Sequence, residues 1–478
     1  MLLSESAAWA GAYLALEWTI RVVMLVVVPF RRSPDAARSW LTLVFFLPIP
    51  ALAIYLVIGR PTYPRWRRDR FAKLPKLLAM ATRQIRHSHF CRRPSLPSNL
   101  EDPALLIETL GQFPTLAGND VEICCDYEQL IDNVVSDINR AKRSIHLLFY
   151  IFADDATGRR VMEALGQAAR RGVACRVLID AVGSRRWSQR VIKTLAAHGV
   201  DVRLTLPVGL LRRRSARADL RNHRKIVVID SRIGYVGSQN IVDAGPDHGL
   251  VNEELMVRVM GPVVLELQTV FAADWFMETD QVLDAPVLFP HRAPGDGAVA
   301  QVLASGPDYP DAGVGLLVAA LIHGARERVV ITTPYFVPDE ALLQALKTAV
   351  LRGVKVSLVV PEETDHLLVN LAQRSYYSEL LHFGVRVHSY TECFLHAKHI
   401  TIDEEIALIG SSNVDIRSFV LNAEVSLIVY DRSTVQRLRL EQDRYFEMSR
   451  VVTLHAWENR SILTKTCENL ARLAAPLL

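Results

Sequence analysis

Two long apolar runs lie within the first 60 residues of the 478-residue chain. The second run, Trp40–Gly59, holds 20 uncharged residues, and at ~1.5 Å per residue a helix of that length spans the ~30 Å hydrocarbon core of a bilayer. Pro48 and Pro50 fall inside it and predict a kink, whose freed carbonyl groups need partners within the protein. Because the first run, Trp9–Phe30, is also long enough to span, we predict a two-helix transmembrane hairpin over residues 1–60.

The first run is the less regular of the two because it carries Glu17 and Arg21. These residues are four apart and can pair on one helical face. A cleaved signal peptide is the alternative for this run. Basic residues would then precede the apolar stretch, whereas Arg31 and Arg32 follow it. The pattern favours a retained membrane helix.

Basic side chains are concentrated immediately after the second run. They are Arg60, Arg65, Arg67, Arg68, Arg70, Lys73 and Lys76, against only Arg31, Arg32 and Arg38 in the loop between the runs. By the positive-inside rule, both ends of the hairpin and all downstream residues face the cytoplasm. We interpret residues 61–105 as a basic juxtamembrane linker that lies, with Trp66, against anionic headgroups.

Beyond residue 105 the sequence repeats itself, with a strand-like run, a helical stretch, an Arg-Gly step and a second strand in each copy. The first copy is Ser144–Ile151, Gly158–Arg171 and Val173–Ile179, and the second is Val329–Phe336, Asp339–Arg352 and Val354–Val360. Apolar strands that alternate with helices predict an α/β fold with a mostly parallel, doubly covered sheet in each half. We assign residues 106–292 and 314–478 to the halves and 293–313, rich in Gly, Pro and Asp, to a connector.

Composition narrows the function classes only slightly. Half of the residues are hydrophobic, so the chain can bury a sizeable core, and the formal net charge of +4 is too small to indicate nucleic acid as a partner. The six cysteines lack the spacing of a zinc site, and we interpret them as reduced thiols of a protein that faces the cytosol. We expect neither a metal nor a cofactor.

Each repeat carries a polar string with the spacing His-x-Lys-x-x-x-x-Asp. The strings join His223, Lys225 and Asp230 in the first repeat and His396, Lys398 and Asp403 in the second. Histidine and lysine are two apart in a β-type run, so they project from the same face of one strand. One such string arises by chance in about one chain in fifty of this length, so two copies at matching places indicate shared chemistry.

Further polar residues recur at equal distances from the two strings. They are Ser238 and Asn240 with Glu254 in the first repeat, and Ser411 and Asn413 with Glu424 in the second. Each glutamate could accept a proton from the far ring nitrogen of its histidine and so fix the tautomer and orientation of the ring. Two satisfied strand histidines beside solvated lysines would be the favoured interpretation of either string alone.

The paired strings resemble the defining motifs of the phospholipase D superfamily, and the chain is most similar to its bacterial cardiolipin synthases. The likeness extends to the double apolar hairpin, the sequence around Tyr150–Ser184 and the C-terminal Arg472–Leu478. The resemblance implies two phospholipase D-like α/β halves related by a pseudo-twofold axis, preceded by the two-helix transmembrane hairpin. It makes His223, Lys225, Asp230, His396, Lys398 and Asp403 catalytic, and makes Ser238, Asn240, Glu254, Ser411, Asn413 and Glu424 phosphate-binding or orienting residues.

Phosphodiester chemistry suits these residue types. In-line displacement gathers charge on the non-bridging oxygens, so fixed cationic and hydrogen-bonding groups must surround the phosphorus, and Lys225, Lys398, Asn240 and Asn413 supply them. One histidine must be neutral to attack and the other protonated to release the leaving alcohol. By analogy with the superfamily, His223 is the nucleophile and His396 the acid and then the base, although the symmetry permits the reverse.

The family also implies a substrate and a location. Donor and acceptor are both phosphatidylglycerol, and the products are cardiolipin and glycerol, formed through a phosphatidyl-histidine intermediate that retains the energy of the ester. We expect phosphatidylglycerol, other phospholipids and the membrane as partners, and no nucleic acid. The expected location is the bacterial cytoplasmic (inner) membrane, multi-pass, with the catalytic domain facing the cytoplasm.

Three alternatives share parts of this pattern. A phospholipase D that forms phosphatidic acid would use the same residues with water as the acceptor. A nuclease of the same superfamily would not need an apolar hairpin and would be more basic. A non-catalytic membrane scaffold would leave two intact polar strings unused.

Other segments near the strings have two interpretations each. Leu210–Leu220 mixes apolar and basic residues and suits either an interfacial lipid gate or a solvated basic loop. We assign Trp187, Tyr335 and Phe336 to core packing rather than to an acyl tunnel. We assign Arg417 to a structural ion pair rather than to a lipid headgroup.

Overall fold

The structure is a computed structural model that describes residues 2–32, 34–59, 65–209, 219–245, 251–283, 297–307 and 313–474. Most of the proposed gate therefore lies outside the described residues. Among these residues, five helices precede the first strand: α1 Leu2–Val27, α2 Pro34–Phe46, α3 Pro48–Ile58, α4 Arg65–Arg86 and α5 Ser98–Gly111. Helices α4 and α5 thus occupy much of the predicted basic linker.

The second apolar run is not one continuous helix, because it is divided at Leu47 into α2 and α3. Pro48 follows at once and lacks the N–H group that would extend the helix, so the predicted break is confirmed. Among the described residues, one helix has the length and hydropathy to cross a bilayer, and that segment is Trp9–Val27 in α1. The structure therefore supports a single candidate span where the sequence predicted two.

A charged residue inside α1 forms a hydrogen bond beside the break between α2 and α3. Arg21 lies 3.2 Å from Glu17, so the predicted pairing on one helical face is confirmed. Nε of Arg21 also donates to the carbonyl of Phe45 at 3.1 Å, at the end of α2 where the intrahelical partners stop. Arg21 of the first run thus satisfies a carbonyl in the last turn of α2, where the helix of the second run is interrupted.

The described part of the first half contains nine strands and four helices. They are β1 Leu116–Cys124, α6 Tyr127–Arg140, β2 Ser144–Phe149, α7 Ala156–Arg170, β3 Ala174–Asp180, α8 Ser188–Ala197, β4 Asp201–Thr205, β5 Arg221–Asn222, β6 Ile226–Ile229, β7 Ile233–Gly237, β8 Asn252–Glu253, β9 Met256–Met260 and α9 Val264–Thr279.

The described part of the second half repeats this series, with short elements added within it and further elements at its C-terminal end. Its elements are β10 Ala298–Ser305, α10 Gly313–Gly324, β11 Arg328–Thr332, β12 Phe336–Val337, α11 Glu340–Leu351, β13 Lys355–Pro361, α12 Leu367–Ser375, α13 Tyr377–Phe383, β14 Arg386–Tyr390, β15 Phe394–Leu395, β16 His399–Ile402, β17 Ile406–Gly410, β18 Val414–Asp415, α14 Ile416–Val420, β19 Asn422–Tyr430, α15 Arg432–Glu447, β20 Ser449–Val452, α16 Leu454–Glu458 and α17 Ile462–Ala474.

The two halves have matching strand orders. The first is β4-β3-β2-β6-β7-β9-β1 and the second is β14-β13-β11-β16-β17-β19-β10, joined where β1 pairs with β10. Within these two series of described strands, only β2-β3-β4 and β11-β13-β14 are parallel. The pairs from β2 through β6, β7 and β9 to β1 are antiparallel, as are their counterparts in the second half. The predicted mostly parallel sheet is therefore wrong, whereas the repeated α/β architecture is confirmed.

The predicted connector contains a strand. Within 293–313, β10 pairs with β19 over its whole length and with β1 near its start, so it joins the sheets of the two halves. Its small apolar residues are flanked by the glycine-, proline- and aspartate-rich stretches that suggested a connector. The sequence therefore missed a central strand.

The sheet is buried on both faces in each half. In β2, Leu147 and Phe149 pack in the cluster beneath α6 to α8, whereas Leu148 packs in a second cluster with α9. That second cluster also takes in Ile409 and Leu427 of the other half, so the two sheets share one core. Burial on both faces explains why these strands are continuously apolar.

Candidate active site

His223 is held by the opposite half of the chain. It follows the short strand β5, which pairs in parallel with the start of β19, and its backbone N–H donates to the carbonyl of Ala423 at 2.9 Å. Two residues later, Nζ of Lys225 turns back and donates to the carbonyl of His223 at 2.7 Å. Lys225 is fully buried, so this cation is fixed beside the ring.

His396 has the equivalent arrangement in the other direction. It follows β15, which pairs in parallel with β8 of the first half, and its backbone N–H donates to the carbonyl of Glu253 at 2.8 Å. Nζ of Lys398 donates to the carbonyl of His396 at 2.7 Å. The two exchanged strands bring His223 and His396 to one cleft of about 700 Å³, called the central cleft below.

The carboxylates behind the two histidines are exchanged between halves. Nδ1 of His223 lies 3.1 and 3.2 Å from the two carboxylate oxygens of Glu424, and Nδ1 of His396 lies 2.6 Å from Oε1 of Glu254. Both glutamates are buried. The predicted orienting role therefore has a structural basis, with each glutamate serving the histidine of the other repeat. Nε2 is the ring atom left for chemistry.

The serines and asparagines that recur after the two motifs differ in their position relative to the cleft. Oγ of Ser411 donates to Glu424, and Oγ of Ser238 accepts the N–H of Leu255 at 3.0 Å, so both serines stand behind the cleft rather than in it. Asn240 and Asn413 line the cleft. Only the asparagines are placed to meet a phosphate directly.

Asp230 and Asp403 lie outside the central cleft. The carboxylate of Asp230 accepts backbone N–H groups of Lys142, Arg143 and Ser144 at 2.7–2.9 Å, and Asp403 likewise accepts those of residues 326–328. Both aspartates follow the last residue of a strand. Each lies five residues beyond the lysine of its motif, so at ~3.3 Å per residue the strand separates the two side chains widely. These contacts lead us to expect that both aspartates hold the ends of their strands rather than touch the substrate.

Replacing Asp230 with alanine is expected to lower stability rather than remove a reacting group. Three N–H groups at the start of β2 lose their acceptor, and alanine must adopt the left-handed φ of +53°. We expect a loss of about 1–3 kcal/mol in the free energy of unfolding. Chemical denaturation measures it, with the exposed Asp102→Ala as the control. Unchanged stability with abolished turnover would return Asp230 to the catalytic set.

Burial dominates the electrostatics of the cleft. It lowers the pKa of Lys225 to about 7, helped by the charge of Lys398, and lowers the pKa of Lys398 to about 8 against the effect of Glu254. Burial also lowers the pKa of His223 to about 4, and it lowers the pKa of His396. A negatively charged ligand in the cleft would favour the protonated form of both lysines.

The pKa values of the two buried glutamates are also lowered, but by neighbouring positive charge and against the effect of burial. Burial alone would raise the pKa of Glu254, but His396 and Lys398 outweigh it and lower that pKa to about 2. His223 and Lys225 likewise outweigh burial and lower the pKa of Glu424. Both glutamates are therefore ionised at neutral pH, and each stabilises positive charge on its histidine.

Two functional positions carried no signal in the motif. Tyr150 lies with its ring centroid 5.0 Å from that of His223 and 5.5 Å from Nζ of Lys225, so its face stabilises the cation. Arg224, between histidine and lysine, is fully buried and donates to Asp274 at 2.5 and 2.6 Å and to the carbonyl of Glu424 at 3.0 Å. A single sequence does not distinguish it from a solvated residue.

The sequence left two interpretations for three aromatic residues and one arginine near the motifs. Trp187, Tyr335 and Arg417 line the central cleft, whereas Phe336 is fully buried in the core. The core assignment therefore holds for Phe336, and Trp187 packs against the cluster beneath α6 to α8 while it also lines the cleft. Tyr335 belongs to none of the described core clusters. Nη2 of Arg417 donates to the carbonyl of Asp219 at 3.0 Å.

Comparisons with known proteins agree with this geometry. The family described as "Cardiolipin synthase, PLD-like domain" matches residues 134–275 and 318–446. The chain is 33% identical over 474 residues to cardiolipin synthase A of Pectobacterium atrosepticum and to that of Proteus mirabilis, covering 96% of this chain and 95% of each relative. The crystal structure of phosphatidylserine synthase from Haemophilus influenzae shares the fold, with a TM-score of 0.58 and 14% identity over 79% of this chain and 98% of that one.

The two family matches fall one in each half, and each contains one of the histidines that meet in the central cleft. The relatives align along nearly their whole length. The chain therefore belongs to the cardiolipin synthase family of the phospholipase D superfamily.

Proposed function

We propose that this chain transfers the phosphatidyl group of one phosphatidylglycerol to another, giving cardiolipin and glycerol. The observation that carries the proposal is the meeting of His223 and His396 in one cleft, each with a buried lysine beside it and an ionised glutamate behind it. The names of the relatives support this choice of lipid.

In the first step, Nε2 of His223 attacks the phosphorus of the donor. The bond from phosphorus to the headgroup glycerol breaks, and the glycerol leaves with the proton held on Nε2 of His396. The phosphatidyl group is then bonded to His223. Lys225 and Lys398, with Asn240 and Asn413, surround the oxygens on which negative charge develops.

In the second step, the free hydroxyl of a second phosphatidylglycerol attacks the same phosphorus. His396, now neutral, accepts the hydroxyl proton, and the bond from phosphorus to His223 breaks. Cardiolipin leaves, and both histidines return to their starting protonation states. Two phosphatidylglycerols thus become one cardiolipin and one glycerol without a nucleotide or an external donor.

The two histidine environments support this division of roles. Nδ1 of His396 has the shorter contact with its carboxylate, 2.6 Å against 3.1 Å for His223, and a tighter ionised acceptor stabilises the protonated ring more strongly. Burial lowers the pKa of His223 to about 4, which keeps this ring neutral and nucleophilic at neutral pH.

We also propose a two-span membrane topology with the catalytic halves on the cytoplasmic side. Trp9–Val27 forms one span, and α2 and α3 together form the second, with Arg21 satisfying a carbonyl at the break between them. The cluster of basic residues in α4 favours the cytoplasmic face.

Purified protein with phosphatidylglycerol in mixed micelles tests the reaction through chromatography of the lipid products. We expect cardiolipin and glycerol. Phosphatidic acid as the main product would indicate hydrolysis, and no product would favour a scaffold.

Because one phosphodiester replaces another, the reaction is expected to be nearly thermoneutral and reversible. Cardiolipin incubated with excess glycerol should then yield phosphatidylglycerol, which chromatography of the lipids detects. The same incubation with the His223→Ala variant is the control. Failure to recover phosphatidylglycerol with the wild-type protein would count against transfer chemistry.

A further inference from the structure

We propose that a groove between α4 and α9 binds one acyl chain of an anionic membrane phospholipid, at a site separate from the central cleft. This helix groove has a volume of about 270 Å³. It runs along residues 74–85 of α4 and residues 265–276 of α9 and ends at Val282 and Leu283. None of its described lining residues lines the central cleft.

The lining is apolar and part of it is exposed. Leu74 and Leu78 form the buried floor on the side of α4, and Phe276 contributes from α9. Met80 and Val282 each remain 63% exposed at the edge. Large apolar side chains in an open groove are stabilised when hydrocarbon covers them. The volume is close to the ~300 Å³ lower bound of small-ligand pockets, which suits a single chain rather than a whole lipid.

A buried hydrogen-bond donor in this lining has no protein partner. Nη1 of Arg176 lies 3.3 Å from Nε2 of His146, and because arginine can only donate, that nitrogen accepts. Nδ1 of His146 therefore carries the proton and donates to Oε1 of Gln268 at 2.8 Å. This chain of contacts fixes the amide of Gln268 and leaves its Nε2 buried without a partner in the described structure.

An unpaired buried amide is costly, so Gln268 favours a ligand that brings an acceptor. The side chain is 4% exposed and lines the helix groove. An acyl ester carbonyl combines such an acceptor with the hydrocarbon that the rest of the groove requires. Water alone would satisfy the amide but would leave the apolar lining uncovered.

Charge at the rim selects an anionic lipid. Lys76, Met80 and Arg83 are spaced four and three apart on α4, so the two exposed basic residues flank the exposed methionine of the groove. Arg67 lies 2.7 Å from Glu278, which fixes α4 against α9. Six residues separate α3 from α4 in the sequence, so α4 begins shortly after the apolar N-terminal helices. The basic residues of this rim attract the phosphate of an anionic lipid at the membrane surface.

Photolabelling of the full-length protein tests the site. The protein is placed in nanodiscs of phosphatidylglycerol that contain a phosphatidylglycerol analogue with a diazirine on one acyl chain, and the labelled peptides are mapped by mass spectrometry. We expect label on α4 and α9 besides the central cleft. The Ala81→Trp variant fills the groove from its exposed rim and should lower the α4 and α9 label about tenfold, a loss of ~1.4 kcal/mol. Ala79→Trp, on the same helix outside the groove, should not.

Charge reversal tests the choice of lipid. The paired change Lys76→Glu and Arg83→Glu should lower labelling by the phosphatidylglycerol probe about fivefold or more per charge and leave labelling by a phosphatidylcholine probe unchanged. Equal loss with both probes would overturn the selection of an anionic headgroup.

The lipid site in the helix groove and the proposed transfer reaction can be tested independently of each other. His223→Ala should abolish transfer yet leave the α4 and α9 label unchanged, because the two sites share no described lining residue. Absence of label on both helices in the wild-type protein, or equal label in Ala81→Trp and Ala79→Trp, would overturn the lipid site whatever the outcome for transfer.

Discussion

The His396→Ala variant is expected to hold phosphatidyl label on His223, whereas His223→Ala should acquire none. Without His396 the enzyme lacks the acid that releases glycerol and the base that activates the acceptor, so a small covalent fraction forms and then persists. Steady-state transfer should fall on the order of 10⁴-fold in each variant. Radiolabelled phosphatidylglycerol, acid quench and peptide mapping identify the modified residue.

The exposed His87→Ala variant serves as the control and should retain wild-type turnover. Label that survives only in His223→Ala would reverse the two roles. Label in neither variant, with both proteins folded, would contradict the expected trapping of the phosphatidyl group on His223.

Replacing Glu254 with glutamine is expected to mimic the loss of His396 rather than of His223. The carboxylate lies 2.6 Å from Nδ1 of His396, where it fixes the tautomer and stabilises the protonated ring. By the magnitude seen when an orienting carboxylate becomes an amide, we expect a loss of roughly 10³ to 10⁴ in kcat. Glu254 is a positioning residue, so the pH profile provides a second measurement.

The direction of the pH shift follows from the charge that is removed. Glu254 raises the pKa of His396 against the effect of burial, so the glutamine variant leaves this histidine with a lower pKa. Because the acid step needs a protonated His396, the alkaline limb of kcat should move to lower pH. A double variant with His396→Ala should lose little more than the single variant, whereas Glu424→Gln should couple to His223. Coupling within each repeat would contradict the exchanged arrangement.

The sequence predicted the repeated α/β halves but not how their strands pair. In β2, Leu147 and Leu148 are buried against opposite faces of the sheet, and such a continuous apolar run is the same whether its neighbour is parallel or antiparallel. Strand β10 was missed because its eight residues lie between glycine-rich stretches. The remaining domain boundaries stay predictions.

The sequence predicted which residues belong to the site better than it predicted which of them contact each other. Two copies of one motif were sufficient to identify His223 and His396, because coincidence at matched positions is rare. The partners of Glu254 and Glu424 depend on contacts between halves, which a spacing within one repeat does not encode. Membership of the motif alone does not separate a residue that reacts from one that caps the adjoining strand, and the contacts of Asp230 favour the second role.

The exchanged glutamate–histidine pairs have a consequence for how such a protein can arise. When residue i of one unit contacts residue j of the other and the reverse contact also forms, the geometry is that of an isologous twofold dimer. Here that geometry lies within one polypeptide, with Glu254 serving His396 and Glu424 serving His223. A single unit on its own would possess a histidine without its carboxylate, so an ancestral copy could have worked only as a pair, and joining the copies made that association permanent.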